Sequence, residues 1–294
     1  MARPLPPPML DDAPLAPGLY VVATPIGNLR DVTLRALDVL AAADLVLAED
    51  TRVGGKLLSA FGLSNRLERY DEHAAERARP KVMATLSEGG RVALISDAGT
   101  PLVSDPGFRL VREVAAAGHR VYPIPGPSAL LAGLSAAGLP TDRFLFAGFP
   151  PPKSAARRSF LEELAGIRAT LVFFEGGSRL ADSLADMAEV LGDREAVVCR
   201  ELTKLYETIV RGGLSQLAGD PQFEAPKGEI VVLVGPGRET EATAADADAA
   251  LTEALTRLKP ADAAAEVAKA LGLPRRDLYK RALALKELAL KGRP

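Results

Sequence analysis

Three times in its first 140 residues the chain runs from a short apolar stretch, through a turn rich in glycine or proline, into a segment with apolar residues at helical spacing. LYVVA leads through TPIGN into DVTLRALDVLAAA; RVALI leads through SDAGTPLVSDPG into residues 108–117; RVYPI leads through PGPS into residues 129–137. LVLAED adds a further strand between the first two units. Repeated β-loop-α units predict a parallel sheet with helices on its faces. Ligands of such sheets gather outside the carboxyl ends of the strands, so the three turns are predicted to converge on one site.

The turn SDAGTPLVSDPG, Ser96 to Gly107, directly follows Val92, Ala93, Leu94 and Ile95. Its prolines fix φ and its glycines let backbone approach a ligand closely, while Ser96, Asp97, Thr100, Ser104 and Asp105 supply polar atoms. An ordinary connection ending in a helix N-cap uses the same residue types, and that reading stays open on this segment alone.

The second half has a different rhythm. A helix-like stretch at 159–165, the strand TLVFFE, a helix over 178–191 and the strand AVVCRE are followed by ETIVRG and GEIVVLVG, the last reading as a central strand. Short polar turns between strands after residue 196 predict partly antiparallel pairing. The predicted organisation is therefore a tail over residues 1–17 without fixed structure, an α/β domain with a parallel sheet over 18–127, a second α/β domain with a mixed sheet over 128–238, and a linker with a helical, basic end over 239–294. RETEATAADADAA reads as the linker, and a Gly-Leu-Pro break separates two amphipathic helices after it. From Pro274 to Pro294 seven Lys or Arg stand against two Asp or Glu, so this end resembles a basic helix-turn-helix hairpin. A solvated helical pair has the same pattern.

Composition excludes several classes. With 294 residues, 48% of them hydrophobic, the chain can bury a real core, and its net charge of -2 gives no overall attraction to a polyanion. Any contact with nucleic acid must come from local basic patches. Cys199 is the only cysteine, and His73 and His119 are the only histidines, which leaves no disulfide framework and no Cys/His metal cluster. His119 follows Gly118 at a helix end and reads as part of a C-cap. The proline-rich start lacks the apolar core of a signal peptide, and no run reaches the length of a membrane span, so a cytoplasmic protein is expected.

Nucleotide-phosphate and serine-hydrolase signatures are missing. Gly54, Gly55 and Lys56 resemble the end of a phosphate loop, but Asp50 stands where its first glycine belongs. Polar residues instead cluster at predicted strand ends: EDTR at 49–52, the Ser96–Gly107 turn, FFEGGSR at 173–179 and RELTKLYE at 200–207. Such positions favour a site, although salt bridges between domains produce the same clusters.

The runs VATPIGNL, LAEDTR, LISDAGTPLVSDPG, PIPGPSA, LSAAGLPTDRFLFAGFPPPK, RELTK and KGE occur in the same order as in a known bacterial family. Along nearly its whole length the chain resembles the ribosomal small-subunit (16S) RNA cytidine 2′-O-methyltransferases, members of the tetrapyrrole methylase superfamily. The resemblance implies S-adenosylmethionine as methyl donor in a cleft between two α/β domains, and a homodimer; the composition leads to the expectation of no metal. It places Pro25, Ile26 and Gly27 near the cofactor, with Thr100, Pro101, Leu102, Val103 and Ser104 in the position of the superfamily's Gly-Asp-Pro loop. Thr100 stands where many relatives carry aspartate, which leaves Asp97 or Asp105 to meet the methionine amine. Ser128 and Ala129 match a further cofactor contact, and Glu175, Gly228 and Glu229 lie where the second domain would close over the adenosine. A sulfonium ligand with a flat adenine calls for backbone polar groups, a small polar contact and an apolar slot, which Pro101, Leu102 and Val103 are expected to form.

The implied reaction is methylation of a cytidine ribose in the decoding region of 16S RNA. Alignment supplies most of the acceleration in such a displacement. If a dedicated base exists, Glu201 and Lys204 of RELTK are the candidates. Arg52 and Arg179 suit phosphate contacts or domain salt bridges. Lys153, Arg157 and Arg158, with Arg275, Arg276, Lys280 and Arg281 of the C-terminal hairpin, are expected to grip RNA, free or in the assembled subunit. A methyltransferase for a small tetrapyrrole and a non-catalytic RNA-binding protein are the alternatives.

Overall fold

The computed structural model describes residues 14–237, 244–271 and 273–291. Residues 1–13 of the expected tail and 238–243 of the expected linker lie outside the described residues. The end of the tail is anchored rather than loose: Leu15 packs against the core of the first sheet, and the Tyr20 hydroxyl donates to the Ala16 carbonyl at 2.6 Å.

Residues 14–237 form one compact unit with two five-stranded sheets. The first is built from β1 (Gly18–Val22), β2 (Leu45–Ala48), β3 (Leu67–Arg69), β4 (Arg91–Ile95) and β5 (Val121–Ile124), with α1 (Leu34–Ala42), α2 (Thr51–Ala60), α3 (Ala75–Ser87) and α4 (Phe108–Ala116) between them. Its order is β3-β2-β4-β1-β5 and every pairing is parallel. Both faces are covered, which is why the strands read as unbroken apolar runs. Along β1 and β4 the side chains alternate between two cores: Tyr20, Val22, Ala93 and Ile95 face one, Leu19, Val92 and Leu94 the other. Each such Leu, Ile or Val contributes about 1.5–3 kcal/mol by leaving water. Thr33 starts α1 as an N-cap, its hydroxyl accepting from Ala36 N at 3.2 Å.

The second sheet has the order β6-β7-β10-β8-β9, from β6 (Phe144–Gly148), β7 (Thr170–Gly176), β8 (Glu195–Arg200), β9 (Thr208–Gly213) and β10 (Glu229–Val234). Only β6 and β7 run parallel, so the expected mixed sheet is found with GEIVVLVG at its centre. One face packs on α6 (Ser154–Ala165), α7 (Leu180–Leu191) and α8 (Leu214–Ala218). The other carries α5 (Ala129–Ala137), which begins at the end of the third turn of the first sheet and lies on the second. Gly133 lets this helix come close: a Cβ there would stand 3.2 Å from Val231 Cγ1. Arg211 of β9 fastens the helix end, donating from Nε to the Ala137 carbonyl at 2.9 Å. Helix α5 thereby couples the two sheets.

The remaining described residues form a separate helical unit of α9 (Ala244–Leu255), α10 (Pro260–Leu271) and α11 (Arg275–Lys291). Three helices replace the expected two. All of the described part of RETEATAADADAA lies in α9, because alanine is the strongest helix former and Ala247, Leu251 and Ala254 make a stripe that packs on Ala263, Val267, Leu278 and Ala282. Gly118 at φ +81 and His119, whose N–H donates to the Val114 carbonyl at 3.1 Å, close α4 as the sequence predicts.

Candidate active site

The three turns converge. Strands β4, β1 and β5 are neighbours, so their carboxyl ends sit side by side, with β2 next to β4. Hydrogen bonds lock the turns together: Thr24 N donates to Gly99 O at 2.8 Å, Gly99 N to Thr24 O at 3.0 Å, and the buried Thr24 hydroxyl to Ser96 O at 3.1 Å. Thr100 Oγ1 donates to Pro127 O at 3.1 Å, and Asp50 N to Asp97 Oδ1 at 2.9 Å. TPIGN, EDTR, SDAGTP and PGPS are thus one bonded platform.

A cavity of about 420 Å³ opens above it. The first sheet contributes Ile26, Asp97, Thr100, Val103, Ser104, Asp105, Ser128 and Ala129, and the second contributes Glu175, Gly228 and Glu229. A second cavity of about 310 Å³ adjoins it, sharing Ile26, Asp97, Ala98 and Glu229 and lined by Pro25 and Gly27. Pro101 and Leu102 line neither. Leu102, at φ +73, turns into the core beneath α4, so the expected slot is made differently. Its apolar wall is Phe149, Phe174, Leu202, Ile230 and Val231, together with Val103 and Ile26. Phe174 meets Phe146 edge-on at 4.8 Å between ring centroids and Phe149 at 5.6 Å. The sequence shows FFEGG at a strand end, but neighbouring strand residues face opposite sides; Phe173 is core and Phe174 lines the cavity.

Carboxylates crowd the rest of the lining. Glu49, Asp97, Asp105, Glu175 and Glu229 line the larger cavity with no Lys, Arg or His among them. Burial pushes the Asp105 carboxyl up to about 6; a hydrogen bond from Ser96 opposes this and the charge of Asp97 adds to it. Glu49 is raised too, first by burial, then by Asp105 and Asp97. Such a wall is short of positive charge. Glu175 differs, because its buried carboxylate is fully engaged: it accepts from Gly176 N at 2.8 Å and Ser183 Oγ at 2.5 Å and pairs with Arg179 at 2.7 Å. Among the described residues no group of three or more His, Cys, Asp or Glu is placed to hold a metal ion.

Backbone strain is concentrated at this cavity. The non-glycine residues with positive φ among the described residues are Leu102 (73°), Ser104 (63°), Glu201 (54°) and Thr203 (67°). They flank Val103 and Leu202, both of which line the cavity. Each costs on the order of 1–3 kcal/mol and persists only where the surroundings enforce it.

Glu201 and Lys204 come together as an ion pair. Lys204 Nζ donates to Glu201 Oε1 at 2.8 Å and to Glu229 Oε2 at 3.1 Å, and Glu229 N donates to Glu201 Oε1 at 3.0 Å. Burial works to lower the Lys204 pKa, but its bonds to Glu201 and Glu229 outweigh it and the net shift is upward. Glu201 is lowered, chiefly by the hydrogen bond from Lys204. Lys204 therefore stays protonated at neutral pH and is a poor proton acceptor. Two glycines make room for the pair: a Cβ on Gly27 would stand 2.4 Å from Lys204 Cγ, and one on Gly228 2.4 Å from Glu201 Oε1.

The expected basic patches divide. Arg157 is buried, its Nε donating to Asp186 Oδ2 at 2.7 Å, and it is not available to RNA. The basic run hid this because Asp186 lies on α7, far away in sequence. Arg157→Ala is therefore expected to destabilise the fold by about 3–5 kcal/mol rather than weaken RNA binding, a difference that a melting curve and an RNA titration separate. Arg158 pairs with Asp186 and Glu189, Arg179 with Glu175, Arg281 with Asp248, and the highly exposed Arg52 with Asp50. The Arg179 partner lies four residues away on the same domain, so this pair is local and does not bridge domains. Lys153, Arg275, Arg276 and Lys280 are exposed.

The family model of the Tetrapyrrole (Corrin/Porphyrin) Methylases matches residues 18–218. Ribosomal RNA small subunit methyltransferase I of Mesorhizobium japonicum is 53% identical, over 95% of this chain and 96% of that protein. The chain belongs to this family of tetrapyrrole methylases. The methylase also matches, over residues 241–286, a model described as the RsmI C-terminal HTH domain. Proteins of the same name from Erythrobacter litoralis and Escherichia coli O157:H7 are 55% and 46% identical, over 93% and 90% of the methylase and 97% and 94% of their own lengths. The methyltransferase CobJ shares the fold, with a TM-score of 0.57 at 21% identity, covering 74% of the methylase and 94% of CobJ. Among the described residues of the methylase no helix is long and apolar enough to cross a membrane.

Proposed function

We propose that this chain methylates the ribose 2′-hydroxyl of a cytidine in small-subunit ribosomal RNA, with S-adenosylmethionine as donor. The division of the larger cavity carries the reading: Glu49, Asp97 and Asp105 stand on one wall, Phe149 and Phe174 on the other, and no cation among the described residues lines it. These residues fit a positively charged donor that ends in a flat base. When bound, it supplies an electrophilic methyl group on a cationic sulfur. Asp97 and Asp105 would hold its charged amino end, beside Ser128 and the Thr100 backbone, and Phe174 and Phe149 would hold the adenine. Leu202, Ile230 and Val231 exclude water from the reacting centre. Lys204, kept protonated by Glu201 and Glu229, acts as a fixed cation beside the acceptor position rather than as a base; single-turnover rates of Glu201→Gln and Lys204→Ala proteins test this.

The names of the relatives support ribosomal RNA as acceptor. Exposed Lys153, Arg275, Arg276 and Lys280 supply sequence-independent grip. Leu205 and Tyr206, 87% and 70% exposed beside Lys204, are the surface on which two copies would pair; light scattering of a Leu205→Asp protein tests the dimer. The composition fits a cytoplasmic enzyme.

Tritium transfer from labelled donor to assembled small subunits, naked RNA and a porphyrin precursor decides among the readings. Label in RNA at a cytidine that resists alkaline cleavage is expected, and label in the porphyrin alone overturns the proposal. Removing residues 240–294 is expected to weaken RNA binding more than donor binding.

A further inference from the structure

The Gly54-Gly55-Lys56 run, which is no phosphate loop, lies on α2 against the second cavity. Asp50 is instead the N-cap of that helix, accepting from Arg52 N at 2.8 Å. Gly54 lets the helix sit tightly on the first sheet, since a Cβ there would be 3.1 Å from Ala48 Cβ and 3.2 Å from Ile95 Cδ1. The close packing brings Lys56 and Val53 to the cavity wall.

The two cavities share a seam at Ile26, Asp97, Ala98 and Glu229 but differ in charge. The larger is lined by carboxylates without a cation, whereas the smaller adds Lys56 and Lys204. Lys204 is held by Glu201 and Glu229. Lys56 is exposed and forms no ion pair among the described residues. Leu29, from the turn after β1, and Val53 are 41% and 37% exposed, so this cavity offers large apolar side chains to solvent beside a free cation. Apolar surface for a base, with a cation for its phosphate, is the composition that receives an unstacked nucleotide. An enclosed site reaches a ribose inside structured RNA only if the nucleotide leaves its stack.

We propose that the second cavity receives the acceptor nucleotide, swung out of the RNA stack, with its base against Leu29 and Val53 and a flanking phosphate on Lys56. The ribose then faces the seam, next to the Lys204 ammonium and across from the donor. The assignment rests on the RNA-methylation reading above and names the acceptor subsite within it.

The test uses the full chain with small-subunit RNA in the acceptor form that the wild type methylates. Lys56→Glu and Val53→Glu are expected to raise KM for RNA about tenfold while the Kd for S-adenosylmethionine, measured by calorimetry, stays within twofold. Lys56→Arg is expected to restore KM, and Lys56→Glu to reduce the slope of log kcat/KM against log salt by about 1. An unchanged KM in both glutamate variants overturns the assignment, as does loss of donor and RNA binding by the same factor. A wild-type protein that binds donor but methylates no RNA overturns the functional reading itself, a result read before any variant is made.

Discussion

The wall that the first sheet gives to the larger cavity carries Glu49, Asp97, Asp105, Thr100 and Ser128, whereas the wall from the second sheet is Phe149, Phe174, Leu202, Ile230 and Val231, and its two carboxylates, Glu175 and Glu229, are paired with Arg179 and Lys204. The first is a set of strand-end turns bonded to one another; the second is the face of a sheet and the loop that follows it. Charge selection and shape selection are thus assigned to different halves of the molecule. A ligand that is both cationic and flat meets both walls, and one with a single property meets only one.

Disturbing the second wall at its closest point should have the largest effect. Gly228 sits at φ +107 with Glu201 where its Cβ would be, so Gly228→Val displaces the Glu201–Lys204 pair and the strained loop around Leu202. A fall in donor affinity of roughly a hundredfold is expected by calorimetry. Phe174→Ala should cost about tenfold, and equally for the donor and for uncharged methylthioadenosine, because it removes ring contact and not charge.

The smallest effect comes from pH, and it acts on the first wall alone. Asp105 titrates at about 6, above its ordinary 3.8, so it becomes an anion as pH rises through that value. Donor affinity should tighten a few-fold from pH 5 to pH 7, and Asp105→Asn should flatten the profile. Stability runs the other way. A raised carboxyl pKa means that the folded state holds the proton more tightly, so this contribution is present below about pH 4 and is lost as pH rises through about 6. Asp105→Asn should therefore raise the melting temperature at pH 7 more than at pH 4.

The first wall was readable in the sequence and most of the second was not, for physical reasons. Turns at the ends of parallel strands must converge, so TPIGN, SDAGTP and PGPS identify themselves once the β-loop-α order is seen. The inward residues of the second wall depend on strand register: Phe174, Ile230 and Val231 look like any other core residues until the pairing of β7 with β10 is known. Glu49 was visible as part of EDTR, but its task differs from that of Asp50, which caps α2. Leu102 was misplaced because a left-handed backbone at a leucine, which turns it into the core, has no local signal. Helices α2 and α3 drew no prediction, the first carrying Gly54 and Gly55 in its interior and the second Pro80.

Recognition of the donor's positive charge by the acidic wall underlies the proposed function. Calorimetric titration of the wild type and an Asp97→Asn/Asp105→Asn protein, at pH 7, with S-adenosylmethionine and with methylthioadenosine, tests it most directly. At least about tenfold loss for the cationic ligand, with less than twofold for the neutral one, is the predicted result. Equal losses for both ligands, or none for either, would contradict it.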